Sequence, residues 1–112
     1  MRTALILAAS LLAAPAFADT ISIEMDDPVE TQTMTFDCAG KSVDVTYYNS
    51  GDASIAVLDL DDTRIIASNV IAASGARYAG NKYIWWTKGD DADLYDLMDG
   101  GEDKPIACRA TS

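Results

Sequence analysis

After residue 32, apolar and polar side chains alternate with a period of two along most of the chain. The first clear run covers residues 33–38, in which Met34, Phe36 and Cys38 alternate with threonine and aspartate. The run 42–47 repeats the alternation one segment later. A period of two places apolar side chains on one face of a β-strand, so both runs predict half-buried strands.

Eight short runs of this kind follow one another and are separated by turn sequences rich in Gly, Asn and Asp. They cover residues 33–38, 42–47, 54–60, 63–67, 76–79, 82–88, 92–98 and 105–109. Regularly spaced short strands are typical of a sandwich or an antiparallel barrel, and closure is favoured because it leaves no unpaired edge. We therefore expect an all-β fold without helices, a small eight-stranded antiparallel β-barrel. The side chains of such a barrel fill its interior, so no internal ligand cavity and no cofactor are predicted.

Residues 1–18 have the layout of a secretory signal peptide. Arg2 precedes an apolar run at 4–14, and the small-residue end Ala16-Phe17-Ala18 predicts cleavage before Asp19. The apolar run is shorter than the roughly 20 residues that span a bilayer. A bacterial lipid anchor would need a cysteine where Asp19 stands. The sequence thus predicts a soluble periplasmic protein without a membrane anchor.

Removal of 18 residues from 112 leaves a mature chain of 94, enough for one modest domain. We divide it into an acidic leading arm, 19–32, and the barrel domain, 33–112. Cys38 and Cys108 are its two cysteines, and in an oxidising compartment they are expected to form a structural disulfide. Closing a loop of this length stabilises a chain by roughly 4 kcal/mol on the chain-entropy model.

Charge is distributed unevenly. The formal net charge is −10 and becomes −11 once Arg2 is removed, which makes nucleic acid an unsuitable partner. Residues 63–89 nevertheless contain no acidic residue and four basic ones, Arg64, Arg77, Lys82 and Lys88. One basic region therefore lies within an acidic protein, although ordinary solubility charge would also allow such a pattern.

The sequence offers few candidates for catalytic residues. The chain contains no histidine, which excludes Ser-His-Asp and Cys-His arrangements and histidine metal sites. A glycosidase-like carboxylate pair would have to come from six aspartates that we expect at turns, where Asp is common for local hydrogen bonding. They are Asp59, Asp61, Asp62, Asp90, Asp91 and Asp93. Because a raised pKa needs a buried pocket, we predict that the chain is not an enzyme.

The basic region also concentrates aromatic residues and turn signals. Residues 74–78 read Ser-Gly-Ala-Arg-Tyr, and residues 85–89 read Trp-Trp-Thr-Lys-Gly. From the residues alone, one of the two tryptophans is a core residue and Lys88 is a solvated hairpin charge. Ser-Gly-x-x-Tyr followed by aromatic-Trp-x-Lys-Gly, between Cys38 and Cys108, resembles the signature of bacterial inhibitors of c-type lysozyme, and the likeness extends over residues 36–109.

The resemblance implies an eight-stranded barrel with one disulfide that binds c-type lysozyme. It further implies that Ser74 and Lys88 enter the active-site cleft of the lysozyme, with a supporting motif of Gly75, Arg77, Tyr78, Trp86 and Gly89. Because it lacks the anchoring cysteine, the sequence resembles the soluble periplasmic branch of these inhibitors. The alternative is a periplasmic barrel that binds envelope glycan or another protein through the same aromatic residues.

Overall fold

The computed structural model describes residues 19–112, and the predicted signal peptide, 1–18, lies outside the described residues. The eight strands are β1 (Glu30–Cys38), β2 (Lys41–Ser50), β3 (Ala53–Leu60), β4 (Thr63–Val70), β5 (Ala76–Gly80), β6 (Tyr83–Lys88), β7 (Asp91–Asp96) and β8 (Ile106–Ala110). Each strand pairs antiparallel with its sequence neighbour, and β1 pairs with β8 to close the barrel. The predicted all-β, eight-stranded antiparallel barrel is confirmed.

Element boundaries differ from the alternation pattern where pairing extends beyond it. β1 begins at Glu30, where the register Glu30↔Asn49 adds three polar residues that precede the alternating run. β7 ends at Asp96, two residues before the expected end, because the Asp96 carboxylate accepts the Met98 N–H and turns the chain. A single 3-10 turn, η1 (Gly101–Asp103), occurs where no helix is expected. Hydrogen bonds determine these strand boundaries, and the alternation of apolar and polar side chains does not reveal them.

The barrel interior is centred on Trp85, which has no exposed surface. The Trp85 Nε1–H donates a 2.8 Å hydrogen bond to the Tyr47 hydroxyl, and the Phe36 ring meets the indole edge to face at 4.9 Å. Burial raises the pKa of Tyr47 to about 12. The interior is completed by buried residues of five other strands, β2 to β5 and β7: Val43, Val45, Ala56, Leu58, Ile65, Ala67, Tyr78, Ala92 and Leu94.

A disulfide joins Cys38 of β1 to Cys108 of β8, as predicted. The two residues are direct cross-strand partners, with Cα atoms 4.1 Å apart. Only three residue pairs connect β1 to β8, whereas nine connect β1 to β2. The covalent bond therefore reinforces a short ladder, the one that closes the barrel.

Antiparallel connectivity places alternate connections at opposite ends of the barrel. The connections 51–52, 71–75 and 89–90 share one end, which we name the Lys88 end. Residues 19–29 of the predicted arm form no strand and lead into β1 at this end, where the Asp27 carbonyl accepts a 2.8 Å hydrogen bond from the Ser50 hydroxyl. Among residues 19–112, no helix is long and apolar enough to cross a membrane.

Candidate functional site

The pairing of β5 with β6 brings the two motif segments together at the Lys88 end. Ala76 lies opposite Thr87 in the register. Ser74, in the connection before β5, and Lys88, the last residue of β6, therefore lie on adjacent segments of the chain. Both residues are exposed. Ser74 lies in a connection, whereas Lys88, which the residues alone indicated as a hairpin charge, still belongs to the strand.

Gly75 allows the close approach of these segments. It has a φ of +69°, a conformation that L side chains rarely adopt, and a Cβ added there would lie 2.1 Å from the Thr87 carbonyl oxygen. The same Cβ would lie 3.1 Å from Lys88 Cγ. Backbone and not a flexible side chain would be displaced, so only glycine fits. Gly75 thereby fixes the position of Ser74 relative to Lys88.

Trp86 connects Ser74 to Lys88. Its indole faces the outside of the barrel, and its Nε1–H donates a 2.9 Å hydrogen bond to the Ser74 carbonyl. The Lys88 Nζ lies 4.8 Å from the centre of the ring, within cation–π range. The Arg77 guanidinium also lies over this ring, at 5.4 Å. One indole thus holds the backbone of the serine and the side chain of the lysine.

The other two motif residues have structural roles. Tyr78 is buried, and its ring lies 5.7 Å from that of Tyr47 while its hydroxyl is 3.2 Å from the Ser54 hydroxyl. Gly89 has a φ of +66°, which the turn between β6 and β7 requires. Both residues shape the Lys88 end without presenting chemistry at its surface.

Two functional groups of the motif are exposed at the Lys88 end, the Ser74 hydroxyl and the Lys88 ammonium. Within residues 19–112, the Ser74 hydroxyl takes part in no side-chain hydrogen bond and the Lys88 ammonium in no ion pair. In contrast, Lys82, in the turn just before β6, is paired with Asp96 at 3.1 Å. Asp96 raises the pKa of the Lys82 ammonium, and the Met98 N–H and Lys82 together lower the pKa of the Asp96 carboxyl. Lys88 therefore remains available to an external anion.

The six aspartates considered for catalysis do not form one cluster. Asp59, Asp61 and Asp62 lie at the β3–β4 end of the barrel, opposite the Lys88 end, where Asp90, Asp91 and Asp93 are found. The expectation that all six lie at turns is wrong for Asp59, Asp91 and Asp93, which belong to strands. For Asp59 and Asp93 the strand location agrees with the alternating runs 54–60 and 92–98. None of the six is buried.

A surface groove of about 490 Å³ runs beside the motif and was not foreseen from the sequence. Trp86 and Lys88 form one side and Asp37 the other, and Ala107 and Asp93 also line it. Its lining residues come from strands that are distant in sequence, so no local motif could have revealed it. Within residues 19–112, no group of three or more His, Cys, Asp or Glu side chains is arranged to hold a metal ion.

The molecule is a small closed barrel with a buried core, and it presents two exposed polar groups, the Ser74 hydroxyl and the Lys88 ammonium, at one end. The family model "Membrane-bound lysozyme-inhibitor of c-type lysozyme" matches residues 36–103. The chain belongs to this family, which confirms the resemblance. Since the family consists of inhibitor proteins, the prediction that the chain is not an enzyme is also confirmed.

Relatives in bacteria carry the same description. The membrane-bound lysozyme inhibitor of Pseudomonas aeruginosa is 42% identical over 94 residues, which cover 81% of this chain and 74% of the relative. That of Cupriavidus necator is 43% identical over 70 residues, which cover 62% of this chain and 56% of the relative. The fold is similar to the crystal structure of P. aeruginosa MliC in complex with hen egg white lysozyme, with a TM-score of 0.72 and 39% identity over 85% of this chain and 97% of that one.

Proposed function

We propose that this chain inhibits c-type lysozyme by inserting the Lys88 end into the active-site cleft of the enzyme. The observation that carries the proposal is the pair of exposed groups, the Ser74 hydroxyl and the Lys88 ammonium, at the Lys88 end. Within residues 19–112 neither forms a side-chain hydrogen bond or an ion pair, and Gly75 and Trp86 fix their positions. Because the Lys88 end is ordered before binding, it loses little conformational freedom on association.

The two groups match the chemistry of the cleft. C-type lysozyme works with two carboxyl groups, one protonated and one ionised. The Ser74 hydroxyl can hydrogen-bond the protonated group, and the Lys88 ammonium can pair with the ionised one. No bond is made or broken in this scheme. Inhibition follows from occupation of the cleft and from engagement of both catalytic carboxyls.

The distribution of charge also supports binding with the Lys88 end facing the cleft. The inhibitor is strongly acidic as a whole, but its acid-free segment 63–89 ends at the Lys88 end. C-type lysozymes are basic proteins with an acidic cleft. The acidic surface would then attract the enzyme over a distance, and the local positive charge of Lys88 would meet the carboxylates of the cleft.

We further propose that the protein acts on the periplasmic side of the bacterial envelope, where it protects the cell wall. The signal-peptide layout of residues 1–18 and the Cys38–Cys108 disulfide support export to an oxidising compartment. Lysozyme that reaches the wall would meet the inhibitor there.

A competition experiment tests cleft insertion. The mature protein should suppress lysis of a bacterial cell-wall suspension by lysozyme, and a chitin trisaccharide that occupies the cleft should weaken its binding in proportion to cleft occupancy. Binding that is indifferent to the trisaccharide would place the contact elsewhere on lysozyme. Retention on purified peptidoglycan but not on immobilised lysozyme would instead favour the glycan-binding alternative.

A further inference from the structure

Trp86 organises the Lys88 end, yet it lies on the outer face of the barrel and receives no support from the core. Its cross-strand partner on β5 is Arg77, whose guanidinium lies over the indole at 5.4 Å. An arginine side chain restrains the aromatic ring beneath it only if the position of the arginine is itself restrained. The position of Arg77 therefore determines how firmly Trp86 is fixed.

Arg77 is unusually enclosed for a surface arginine. Its side chain is 25% exposed, and its Nε atom is buried without a hydrogen-bond partner among the described residues. Within residues 19–112 its one ion pair is with Glu102, at 2.9 Å between Nη2 and Oε1. A partly desolvated guanidinium needs a carboxylate to offset the loss of water, and Glu102 supplies it.

The backbone around Glu102 gives this carboxylate a defined position. Glu102 is the middle residue of η1, which follows Gly100 and begins at Gly101, and these two glycines have φ values of 85° and 58°. The N–H groups of Asp103 and Lys104 donate to the carbonyls of these two glycines at 3.3 Å. The turn lies outside the barrel strands and is 25 residues from Arg77 in sequence.

We propose that Glu102 is a positioning residue for lysozyme binding. Its carboxylate holds the Arg77 guanidinium on Trp86, and Trp86 in turn holds the Ser74 carbonyl and the Lys88 ammonium. This inference rests on the proposed function, because it assigns Glu102 a role in presenting Ser74 and Lys88. Without the carboxylate, Arg77 turns toward water, one face of the indole is released and the tip must be ordered at the moment of binding.

Glu102→Gln tests the role, and Asp59→Asn is its matched control. Asp59 forms a comparable surface ion pair with Arg64 at 2.8 Å, away from the Lys88 end, and both substitutions remove one negative charge. We expect Glu102→Gln to raise the dissociation constant for lysozyme about three- to tenfold, mainly through faster dissociation, the scale of ordering one or two side chains. Asp59→Asn should leave dissociation unchanged, and thermal unfolding should confirm that both variants fold.

Acrylamide quenching of tryptophan fluorescence reports on the mechanism. Trp85 is fully buried, so quenching reflects Trp86, and it should increase in Glu102→Gln and not in Asp59→Asn. In an Arg77→Met background, Glu102→Gln should have no further effect on dissociation. An unchanged dissociation rate and unchanged quenching in Glu102→Gln, or a full effect in the Arg77→Met background, would overturn the positioning role. Failure of the proposed function itself would be seen in the unsubstituted protein, which would not inhibit lysozyme.

Discussion

Trp85 and Trp86 are neighbours in sequence but lie on opposite faces of β6. Trp85 is enclosed by Tyr47 and Phe36, whereas Trp86 faces outward between two cations. Strand alternation requires that one of the two face inward. The burial of Trp85 settles which one does, and it leaves Trp86 free to support the residues proposed to bind lysozyme.

Lys88 should matter for binding and little for folding. We expect Lys88→Ala to weaken inhibition by about 2–5 kcal/mol, the cost of removing one partner of a desolvated charge pair. Lys82→Ala is the matched control, since it removes the same charge from the turn that precedes β6, at the opposite end of the barrel, where Lys82 is already paired with Asp96. Inhibition constants and thermal unfolding of both variants measure the difference. Equal inhibition by Lys88→Ala and the parent would exclude the proposed ion pair.

Ser74→Ala should have a smaller effect, about 1–3 kcal/mol, because a neutral hydroxyl leaves a weaker unmet hydrogen bond behind. The Ser74 carbonyl, which Trp86 binds, is untouched by this substitution, so the geometry of the tip is preserved. Inhibition assays at equal concentrations of folded protein check it. A loss larger than that of Lys88→Ala would mean that the serine, and not the lysine, dominates the contact.

Tyr47 couples the stability of the core to alkaline pH. Burial raises its pKa from 10.0 to about 12, so the folded state favours the neutral phenol. This stabilisation is fully present below pH 10 and is lost as the pH rises through 12. We expect the free energy of unfolding to fall by up to about 3 kcal/mol across that window. Denaturant unfolding at several pH values measures the decrease, and Tyr47→Phe should lack this component.

At the scale of elements, the junction of β1 with β8 closes the barrel. Three residue pairs, one disulfide and backbone hydrogen bonds of Thr35 with Thr111 and Ser112 hold it. We expect the double variant Cys38→Ser/Cys108→Ser to lose about 2–5 kcal/mol of stability, because the unfolded chain regains the freedom of a 70-residue loop. Denaturant unfolding of the variant and the oxidised parent would show it. Equal midpoints would mean that pairing of β1 with β8 alone closes the barrel.

The pair β5–β6 is the element that assembles the candidate site. Five cross-strand partners fix its register, from Ala76↔Thr87 to Gly80↔Tyr83. A shift of one residue would turn Trp86 inward and Trp85 outward, and the buried Trp85 prevents it. The core on one face of β6 thus specifies the geometry of the motif on the other.

At the scale of the whole molecule, charge should govern the rate of encounter with lysozyme. The mature chain carries 18 acidic and 7 basic residues once Arg2 is removed, and exposed charges are screened over about 8 Å at physiological ionic strength. We expect association with a basic lysozyme to slow markedly as salt rises, while dissociation changes less. Stopped-flow association at several salt concentrations measures it. A flat association rate would assign the acidic surface to solubility alone.

The amino-acid sequence determined the number of strands, the closure of the barrel and the disulfide. It could do so because alternation of side chains reports directly on strands with one buried face, as in 33–38, and because Cys38 and Cys108 had no other partner. The same signal fails where both faces of a strand are polar, as at Glu30 to Gln32, and there only pairing with β2 defined the strand.

The motif residues were also identified from sequence, through resemblance, but their arrangement was not. The hydrogen bond from Trp86 to the Ser74 carbonyl, the cation–π contact with Lys88 and the ion pair of Arg77 with Glu102 join residues from separate elements. Such contacts depend on strand register and on the path of a connection, which follow from packing of the whole barrel. Local sequence carries no information about them, and for that reason Glu102 emerged only from the tertiary structure.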